Sequence, residues 1–316
     1  MTAILRLHER LAARDAASSH FGWLVRAERL VAVKRLHPLH VADEAMISRV
    51  REDARRAMGV DHPNVVTTLG LVRPPGEVLA AMEYVPGASL AEIAEASPGG
   101  LEAHVATAIA AGALRGIHAA HEARAGAFVP RAVSPSRVLV GEDGVARVRG
   151  FEIAEPSTAD AVVGALPYAA PEQLVRGRET AGTVDVRRDV YALSVVLWET
   201  LTGRALFPMP TVEATLRRIL GAAVPAPSRL ASGVGPELDA IVLRGLARDP
   251  EVRFASARAM AFELESATCA SPGDVAKALT RMDLPCIRRR RALADGVRRR
   301  EVNPMHFECT RSASKR

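Results

Sequence analysis

Two arginine clusters near the C-terminus are the residues whose type and spacing suggest binding chemistry on their own. They are Ile287–Arg291 and Val297–Arg300, and they begin ten residues apart, which places them roughly on one side of a helix. A basic face of this kind could bind nucleic acid, an anionic membrane or an acidic protein partner. Phe307 is the one aromatic residue nearby, so few side chains are available to stack on bases. Nucleic acid is therefore the less favoured ligand. The alternative is a solvated basic helix or flexible tail that binds nothing.

The positive charge of the chain is confined to this region. Residues 281–316 contain 11 Lys and Arg against 4 Asp and Glu, a balance of +7, whereas all 316 residues carry +6. The remaining 280 residues therefore sum to −1. The sequence pI of about 9.8 is thus a property of the C-terminal segment and not of the rest of the chain.

The cysteines have no pairing that predicts a metal site or a disulfide framework. Cys269, Cys286 and Cys309 occur without a C-x-x-C motif, which favours a reducing, cytoplasmic setting. Charged residues interrupt the N-terminal segment, so we expect no secretory signal there. We also expect no membrane span, because no stretch approaches the roughly 18–20 apolar residues that one requires.

Six segments occur in an order and at intervals that one protein family shares. They are Val31–Lys34, His62–Val66, Met82–Val85, Pro167–Leu174, Asp189–Leu193 with Leu197–Glu199, and Leu246–Pro250 with Arg253 and Phe254. Together they resemble the signature set of the protein kinases, in the phrasing of the bacterial eukaryotic-like serine/threonine kinase family. The resemblance implies an α+β, bilobal, protein-kinase-like fold. Its parts would be a small β-rich N-lobe over 1–85, a larger helical C-lobe over 86–265 and a basic C-terminal extension over 266–316.

The same resemblance locates three positions at which the family's catalytic residues are missing. Protein kinases need a carboxylate that accepts the substrate hydroxyl proton and two side chains that hold magnesium against the phosphates. This chain carries Ala132, Arg137 and Gly150 at those positions. An arginine opposes a divalent cation, and alanine and glycine offer no side-chain ligand. We therefore expect no intact catalytic residue and no metal site, with Glu152 as the alternative ligand that a noncanonical enzyme would use.

Residues that could hold a nucleotide are also implied by the resemblance. Lys34 corresponds to the phosphate-pairing lysine, and Asp53 stands where its acidic partner would be. Counting back from Lys34 predicts a phosphate-covering loop at residues 17–24, with Gly22 as its surviving glycine and Leu24 after it. The walls and hinge edge of an adenine pocket correspond to Ala32, Met82, Glu83, Val85 and Leu139. Any interface between lobes would bury the same residues, so ATP is a possible cofactor, whereas Mg²⁺ is not expected.

The remaining matches concern the scaffold. Glu172 and Arg253 resemble the buried ion pair that fixes the activation segment to the C-lobe. Ser157 and Thr158 lie within that segment, where a partner kinase could phosphorylate them, or they belong to an ordinary solvated loop.

Definite elements must position these residues. Alternation and turn signals predict strands, and a four-residue spacing of Met46, Val50, Ala54 and Met58 predicts a helix from Asp43 to about Met58. The strands are predicted at Leu24–Arg26, Leu30–Leu36, Val65–Val66, Val78–Met82, Arg137–Val140 and Ala146–Arg149. Buried helices are predicted at Ala106–Ala119 and Asp189–Thr202.

We interpret the chain as a pseudokinase, a catalytically impaired regulatory module of bacterial signalling with protein partners. Two alternatives stay open at the level of sequence. One is an active ATP-dependent serine/threonine kinase that uses Glu152, and the other is an adaptor that binds anionic partners through residues 281–316.

Overall fold

A six-stranded antiparallel sheet makes up most of the N-terminal part of the chain. The computed structural model describes residues 4–14, 17–24, 28–36, 44–74, 76–123, 133–150, 163–175, 186–208, 211–299 and 305–306. The strands are β1 (Ile4–Arg14), β2 (Ala17–Leu24), β3 (Arg29–Leu36), β4 (Thr68–Val72), β5 (Leu79–Glu83) and, from the far end of the chain, β9 (Met305–His306). Their order in the sheet is β4-β5-β3-β2-β1-β9. The C-terminal segment therefore returns to the N-terminal sheet.

The alternation of β3 gives the sheet two different faces. Val31 and Val33 are buried and pack in one apolar cluster with Leu5 of β1. Ala32 and Lys34 point to the opposite face, since successive side chains alternate along a strand. That opposite face is the one from which a site can be built.

The helix α1 (Glu44–Ala57) packs on this second face of the sheet. Ile47 and Val50 are buried against Leu36 of β3, and Val50 and Ala54 lie on the buried side as predicted. The expectation that Met58 continues this face is wrong, because Met58 is 40% exposed. A strict four-residue repeat drifts away from the 3.6-residue turn, so Ala57 is buried in its place.

The C-terminal part is mainly helical, with a small second sheet. After β5 the chain passes through Tyr84, Val85 and Pro86 into β6 (Gly87–Ser89), which pairs with β7 (Val138–Gly141), and β7 pairs with β8 (Ala146–Val148). The helices are α2 (Leu90–Ala96), α3 (Ala103–His121), α4 (Pro171–Leu174), α5 (Arg187–Thr202), α6 (Val212–Gly221), α7 (Pro236–Gly245), α8 (Ala257–Ala267), α9 (Pro272–Met282) and α10 (Pro285–Arg299). Single-turn 3₁₀ segments lie at Pro135–Arg137, Leu166–Tyr168 and Pro227–Arg229.

The core of this part is built around α3 and α5, which are buried on most sides as their apolar composition predicts. Their ends are joined by a buried polar pair, in which His121 Nε2 lies 2.8 Å from Asp189 Oδ2. Burial raises the pKa of the Asp189 carboxyl, and the hydrogen bond from His121 opposes that rise. Among the described residues, no helix is both long enough and apolar enough to cross a bilayer.

The loop before β4 docks directly onto the helical part. Asn64 is buried, and its Nδ2 donates to Ala146 O at 2.8 Å while its carbonyl accepts from Val148 N at 2.8 Å. A Cβ at Gly116 of α3 would overlap the Asn64 carbonyl oxygen, so only glycine permits this approach. The two halves of the molecule are thus joined here by hydrogen bonds as well as by the chain itself.

Candidate functional site

A cleft of about 290 Å³ lies between the two halves, beneath β3 and β5 and above β7. Its residues come from both sheets, from the segment that joins them and from the C-terminal helix α10. They are Ser19, Ala32, Val33, Lys34, Val66, Met82, Glu83, Tyr84, Val85, Gly87, Ser89, Ala91, Glu92, Glu95, Ser136, Arg137, Leu139, Arg149, Gly150 and Arg290. A cleft of this kind, with apolar walls and a few convergent polar groups, is the usual form of a small-molecule site.

The structure brings six of the predicted nucleotide residues together in this cleft: Ala32, Lys34, Met82, Glu83, Val85 and Leu139. Register explains the grouping, because Ala32 stands opposite Met82 in the sheet and Lys34 stands opposite Ala80. Directly opposed residues of antiparallel strands share a face. The side chain of Glu83 is engaged elsewhere, since Oε1 accepts from Thr67 N at 2.9 Å and Oε2 lies 3.6 Å from Arg29 Nη2. Its contribution to the cleft is therefore limited to the backbone.

Gly22 and Leu24 are not among the residues that line the cleft. Both belong to β2, and a Cβ at Gly22 would lie 2.7 Å from Val33 Cγ2 and 3.0 Å from Leu5 Cδ1, on the other face of the sheet. Leu24 packs with the same apolar cluster. The predicted register of the phosphate-covering loop is therefore wrong. Residues 17–24 form a regular strand, and the connection to β1 is at residues 15 and 16, which lie outside the described residues.

The shift of register brings Ser19 into the cleft in place of Leu24. Ser19 stands directly opposite Lys34 in the β2–β3 pair. Asp53, the predicted partner of Lys34, lies on α1 and is 8% exposed. Its ion pair with Lys34 stays a prediction.

Arg137 and Gly150 meet in the cleft. Arg137 is the last residue of the 3₁₀ turn before β7, and Gly150 lies two residues after β8. The Arg137 Nη1 donates to the Gly150 carbonyl oxygen at 2.8 Å. A Cβ at Gly150 would overlap that same Nη1. The guanidinium therefore occupies the space that a side chain at position 150 would need.

A second arginine lies next to the first. Arg149 Nη2 and Nε donate to Ser136 O at 2.8 and 3.1 Å, and the backbone N–H of Arg149 donates to Arg137 O at 2.9 Å. These bonds tie the strand end after β8 to the turn before β7. Together with Lys34, Arg137 and Arg149 give the cleft a cationic lining, which is suited to an anion such as a phosphate chain.

The cleft also contains the carboxylate of Glu92, and both of its oxygens accept hydrogen bonds. Glu92 accepts from Ser89 N and Ser89 Oγ, each at 2.8 Å, and so closes a capping box at the start of α2. It also accepts from Arg290 Nη2 at 2.6 Å and from Arg290 Nη1 at 3.1 Å. Burial raises its pKa, but the hydrogen bonds from Arg290 and Ser89 more than offset this, so the pKa of Glu92 is lowered overall.

Sequence reasoning did not find Ser19, Ser136, Arg149, Glu92 and Arg290 as cleft residues. Arg149 was within reach, because it immediately precedes Gly150 at the end of a predicted strand. The pattern Ser89-x-x-Glu92 is a capping-box signal that predicts a helix start. Arg290 lies 198 residues from its partner Glu92, and no local pattern carries such a contact.

Other predicted residues lie outside the described part of the chain. They are Ala132, Glu152, Ser157 and Thr158. The predicted ion pair of the scaffold is confirmed. Arg253, 3% exposed, donates to both oxygens of Glu172 at 2.8 and 2.7 Å and lies with its guanidinium carbon 4.9 Å from the centre of the Tyr191 ring.

The chain and its fold correspond to those of known proteins. The family model for the protein kinase domain matches residues 22–263. The chain belongs to the protein kinase family. Its relatives place it among the bacterial eukaryotic-like serine/threonine kinases, and the strand-rich half is the N-lobe and the helical half is the C-lobe of that fold.

Two relatives are named as serine/threonine-protein kinases of mycobacteria. The chain is 31% identical over 285 residues to PknB of Mycobacterium leprae, which covers 85% of this chain and 43% of the relative. It is 30% identical over 263 residues to PknL of Mycobacterium tuberculosis, which covers 81% of this chain and 64% of the relative. The chain thus spans about half the length of these kinases.

Solved structures show the same fold. The kinase domain of Mycobacterium tuberculosis PknI superposes with a TM-score of 0.64 at 21% identity, over 83% of this chain and 95% of that domain. The predicted bilobal, α+β kinase fold is confirmed.

Proposed function

We propose that this protein is a nucleotide-binding pseudokinase, which holds ATP without Mg²⁺ and acts by binding and not by phosphoryl transfer. The observation that carries the proposal is the bond from Arg137 to the carbonyl of Gly150. By resemblance, these two positions are where an active kinase carries the side chains that hold its metal ions. Here one of them offers a positive charge and the other offers no side chain, so the residues do not fit a magnesium ion.

The rest of the cleft does fit a nucleotide. Ala32, Met82 and Leu139 supply apolar walls on which a base can pack, next to the backbone of the hinge at Glu83 and Val85. Lys34, Arg137 and Arg149 supply positive charges in the same cleft, to which the phosphates of such a nucleotide would bind. The guanidinium groups carry a charge at any physiological pH and can donate two parallel N–H bonds to phosphate oxygens. They would supply the charge neutralisation that metal ions supply in an active kinase.

Phosphoryl transfer needs more than nucleotide binding. The position of the proton-accepting carboxylate is Ala132 in the sequence, and loss of a general base alone costs about 10²–10⁴-fold in rate. Loss of both metal ligands removes the electrostatic stabilisation of the transition state as well. The chain nevertheless retains the Glu172–Arg253 pair that holds the scaffold. A retained scaffold without its chemistry fits a module that recognises protein partners in bacterial signalling.

Calorimetric titration of the full chain with ATP, in Mg²⁺ and again in EDTA, tests the proposal. We expect binding in EDTA, with an affinity that Arg137→Asn lowers by about tenfold because one charge-assisted contact is lost. Lys34→Ala should weaken binding similarly, whereas Lys277→Ala, on the exposed surface of α9, should not. Binding that requires Mg²⁺ in the unchanged protein would overturn the proposal and favour the active-enzyme interpretation through Glu152. Absence of binding in both conditions would also overturn it.

A double variant provides the sharper test. Arg137→Asn with Gly150→Asp returns both positions to the residues of an active kinase. We expect ATP binding by this variant to depend on Mg²⁺, since two oxygen ligands replace the fixed cation. If its binding in EDTA equals that of the unchanged protein, Arg137 is not the group that replaces the metal.

A further inference from the structure

The helix α10 lies across the junction of the two lobes. On its N-lobe side, Ala294 and Val297 are each 8% exposed and pack in one cluster with Phe21 of β2, which is fully buried. Trp23, Leu30, Tyr84 and Leu293 contribute partly buried surface to the same cluster. This helix was predicted as part of a basic extension, and the structure shows an apolar side to it that contacts the N-lobe sheet.

The C-lobe side of α10 is held by ion pairs. Arg290 makes the two bonds to Glu92 and also donates to Gly87 O at 2.9 Å, at the start of β6. Arg291 Nη2 donates to Glu142 Oε2 at 2.5 Å, in the turn between β7 and β8. Both members of the Arg290–Glu92 pair are about three-quarters buried, so this pair is screened less than one on the open surface.

The hinge itself lies between these two attachments. Tyr84 follows β5 directly, and its ring meets that of Phe21 edge to face with centroids 5.0 Å apart. Ser89 lies two residues after Gly87, whose carbonyl oxygen accepts from Arg290. Ser89 caps α2, and the Glu92 that bonds to it there is the residue that Arg290 binds. A change in the angle between the lobes must therefore separate Arg290 from Glu92 or withdraw Ala294 from Phe21.

We propose that α10 is a clamp that fixes the two lobes at the hinge edge of the cleft, with Arg290 as a positioning residue for that edge. Because Arg290 and Glu92 also line the cleft, the state of the clamp is linked to whatever the cleft binds. By that linkage, a nucleotide that prefers the fastened lobes is bound more tightly when α10 is docked, and in turn stabilises the docking. The nucleotide part rests on the proposed function, whereas the clamp itself does not.

Hydrogen exchange on the full chain without nucleotide tests the clamp. We expect Arg290→Ala to raise the exchange of the amides at residues 84–92 and in β2 by about fivefold to tenfold, since local opening no longer breaks the ion pair. Arg289→Ala is the matched control, because it removes the same charge from an exposed position on the same helix. Equal exchange in the two variants would overturn the clamp.

A second variant attacks the other attachment. Ala294→Asp places a charge against Phe21 while leaving Arg290 in place, and we expect it to raise exchange in the same two regions. Thermal unfolding of each variant verifies that the fold is retained. If Ala294→Asp affects β2 alone and leaves residues 84–92 unchanged, α10 only covers the N-lobe and does not connect the lobes.

ATP titration of the same variants tests the linkage. We expect Arg290→Ala to weaken binding about fivefold relative to Arg289→Ala. An affinity change within about twofold, together with faster exchange at the hinge, would overturn the linkage and leave the clamp. If the unchanged chain binds no nucleotide, the proposed function fails, and the exchange experiment still decides whether α10 fastens the lobes.

Discussion

Arg137 and Gly150 are complementary in size as well as in hydrogen bonding. The Arg137 guanidinium lies where a side chain on residue 150 would begin, and it donates to the carbonyl of that same residue. Gly150 also has φ +97°, which residues other than glycine rarely adopt. The absence of a side chain at Gly150 thus makes room for the Arg137 guanidinium.

Gly150→Ala should therefore be destabilising. The new Cβ must displace the guanidinium and adopt a strained φ, and together these effects cost about 1–3 kcal/mol of unfolding free energy. Chemical denaturation measures the loss. In the background of Arg137→Asn, Gly150→Ala should cause a smaller loss of stability, because the overlap with the guanidinium is removed while the backbone strain remains.

The control for this experiment is Gly164→Ala. Gly164 has nothing within 4 Å of its Cβ direction and a φ outside the left-handed range. We expect it to leave stability unchanged within about 0.5 kcal/mol. If Gly150→Ala is as neutral as Gly164→Ala, the two residues are not sterically coupled.

The Glu172–Arg253 pair should be among the most costly ion pairs to break. Arg253 is almost completely buried and makes both bonds of a bidentate pair, so removal of either partner leaves a buried charge without its counterion. Arg253→Ala is expected to lower the unfolding free energy by about 3–5 kcal/mol. Chemical denaturation measures this loss of stability, which should also lower the midpoint of thermal unfolding.

Arg115→Ala offers a comparison on the surface. Arg115 pairs with Glu265 at 2.8 Å, but its side chain is about half exposed. Exposed pairs contribute about 0–1 kcal/mol. Similar losses for Arg115→Ala and Arg253→Ala would contradict the structural importance of the buried pair.

Asn64 connects the lobes through its side chain, and its loss should loosen that connection. Asn64→Asp keeps the size but removes the N–H that the Ala146 carbonyl accepts, and we expect a loss of about 1–3 kcal/mol from the unpaired buried group. Asp61→Ala, at an exposed position in the same loop, serves as the control and should be close to neutral. Equal stabilities for these two variants would show that the Asn64 bond contributes nothing.

Much of the fold could be predicted because it is encoded in short segments. The motif around Lys34 gave β3, and the apolar composition of residues 106–119 gave the buried α3. These signals depend only on residues that are close together in the sequence, so a single sequence is enough to read them. The family motifs then fixed the order of the lobes.

The errors arose where the result depends on register or on distant contacts. The loop at 17–24 was placed by counting back from Lys34, and a shift of a few residues converts a loop into a strand and moves Gly22 to the other face. The position of α10 depends on contacts between residues far apart in sequence. Arg290 and Glu92 are 198 residues apart, and Ala294 and Phe21 are separated by more still. Its arginines predicted a solvated or ligand-binding surface, whereas three of them, Arg288, Arg290 and Arg291, form ion pairs within the molecule.

The Arg290–Glu92 pair predicts a specific dependence of stability on pH. Burial raises the pKa of Glu92, but the bonds from Arg290 and Ser89 lower it by more than burial raises it. The pKa in the folded protein therefore lies below the ordinary value of 4.5. A carboxyl whose pKa is depressed on folding stabilises the folded state above its unfolded pKa and loses that contribution as pH falls through the folded value. Stability should therefore decline below about pH 4.5. In Arg290→Ala the decline should be shallower, because the residue that lowers the pKa of Glu92 most is gone.

Denaturation curves from about pH 6 to about pH 3.5 measure the stability of the unchanged chain, of Arg290→Ala and of the control Arg289→Ala. The other carboxyls are the same in all three proteins. If stability falls with pH equally in Arg290→Ala and Arg289→Ala, Arg290 does not lower the pKa of Glu92.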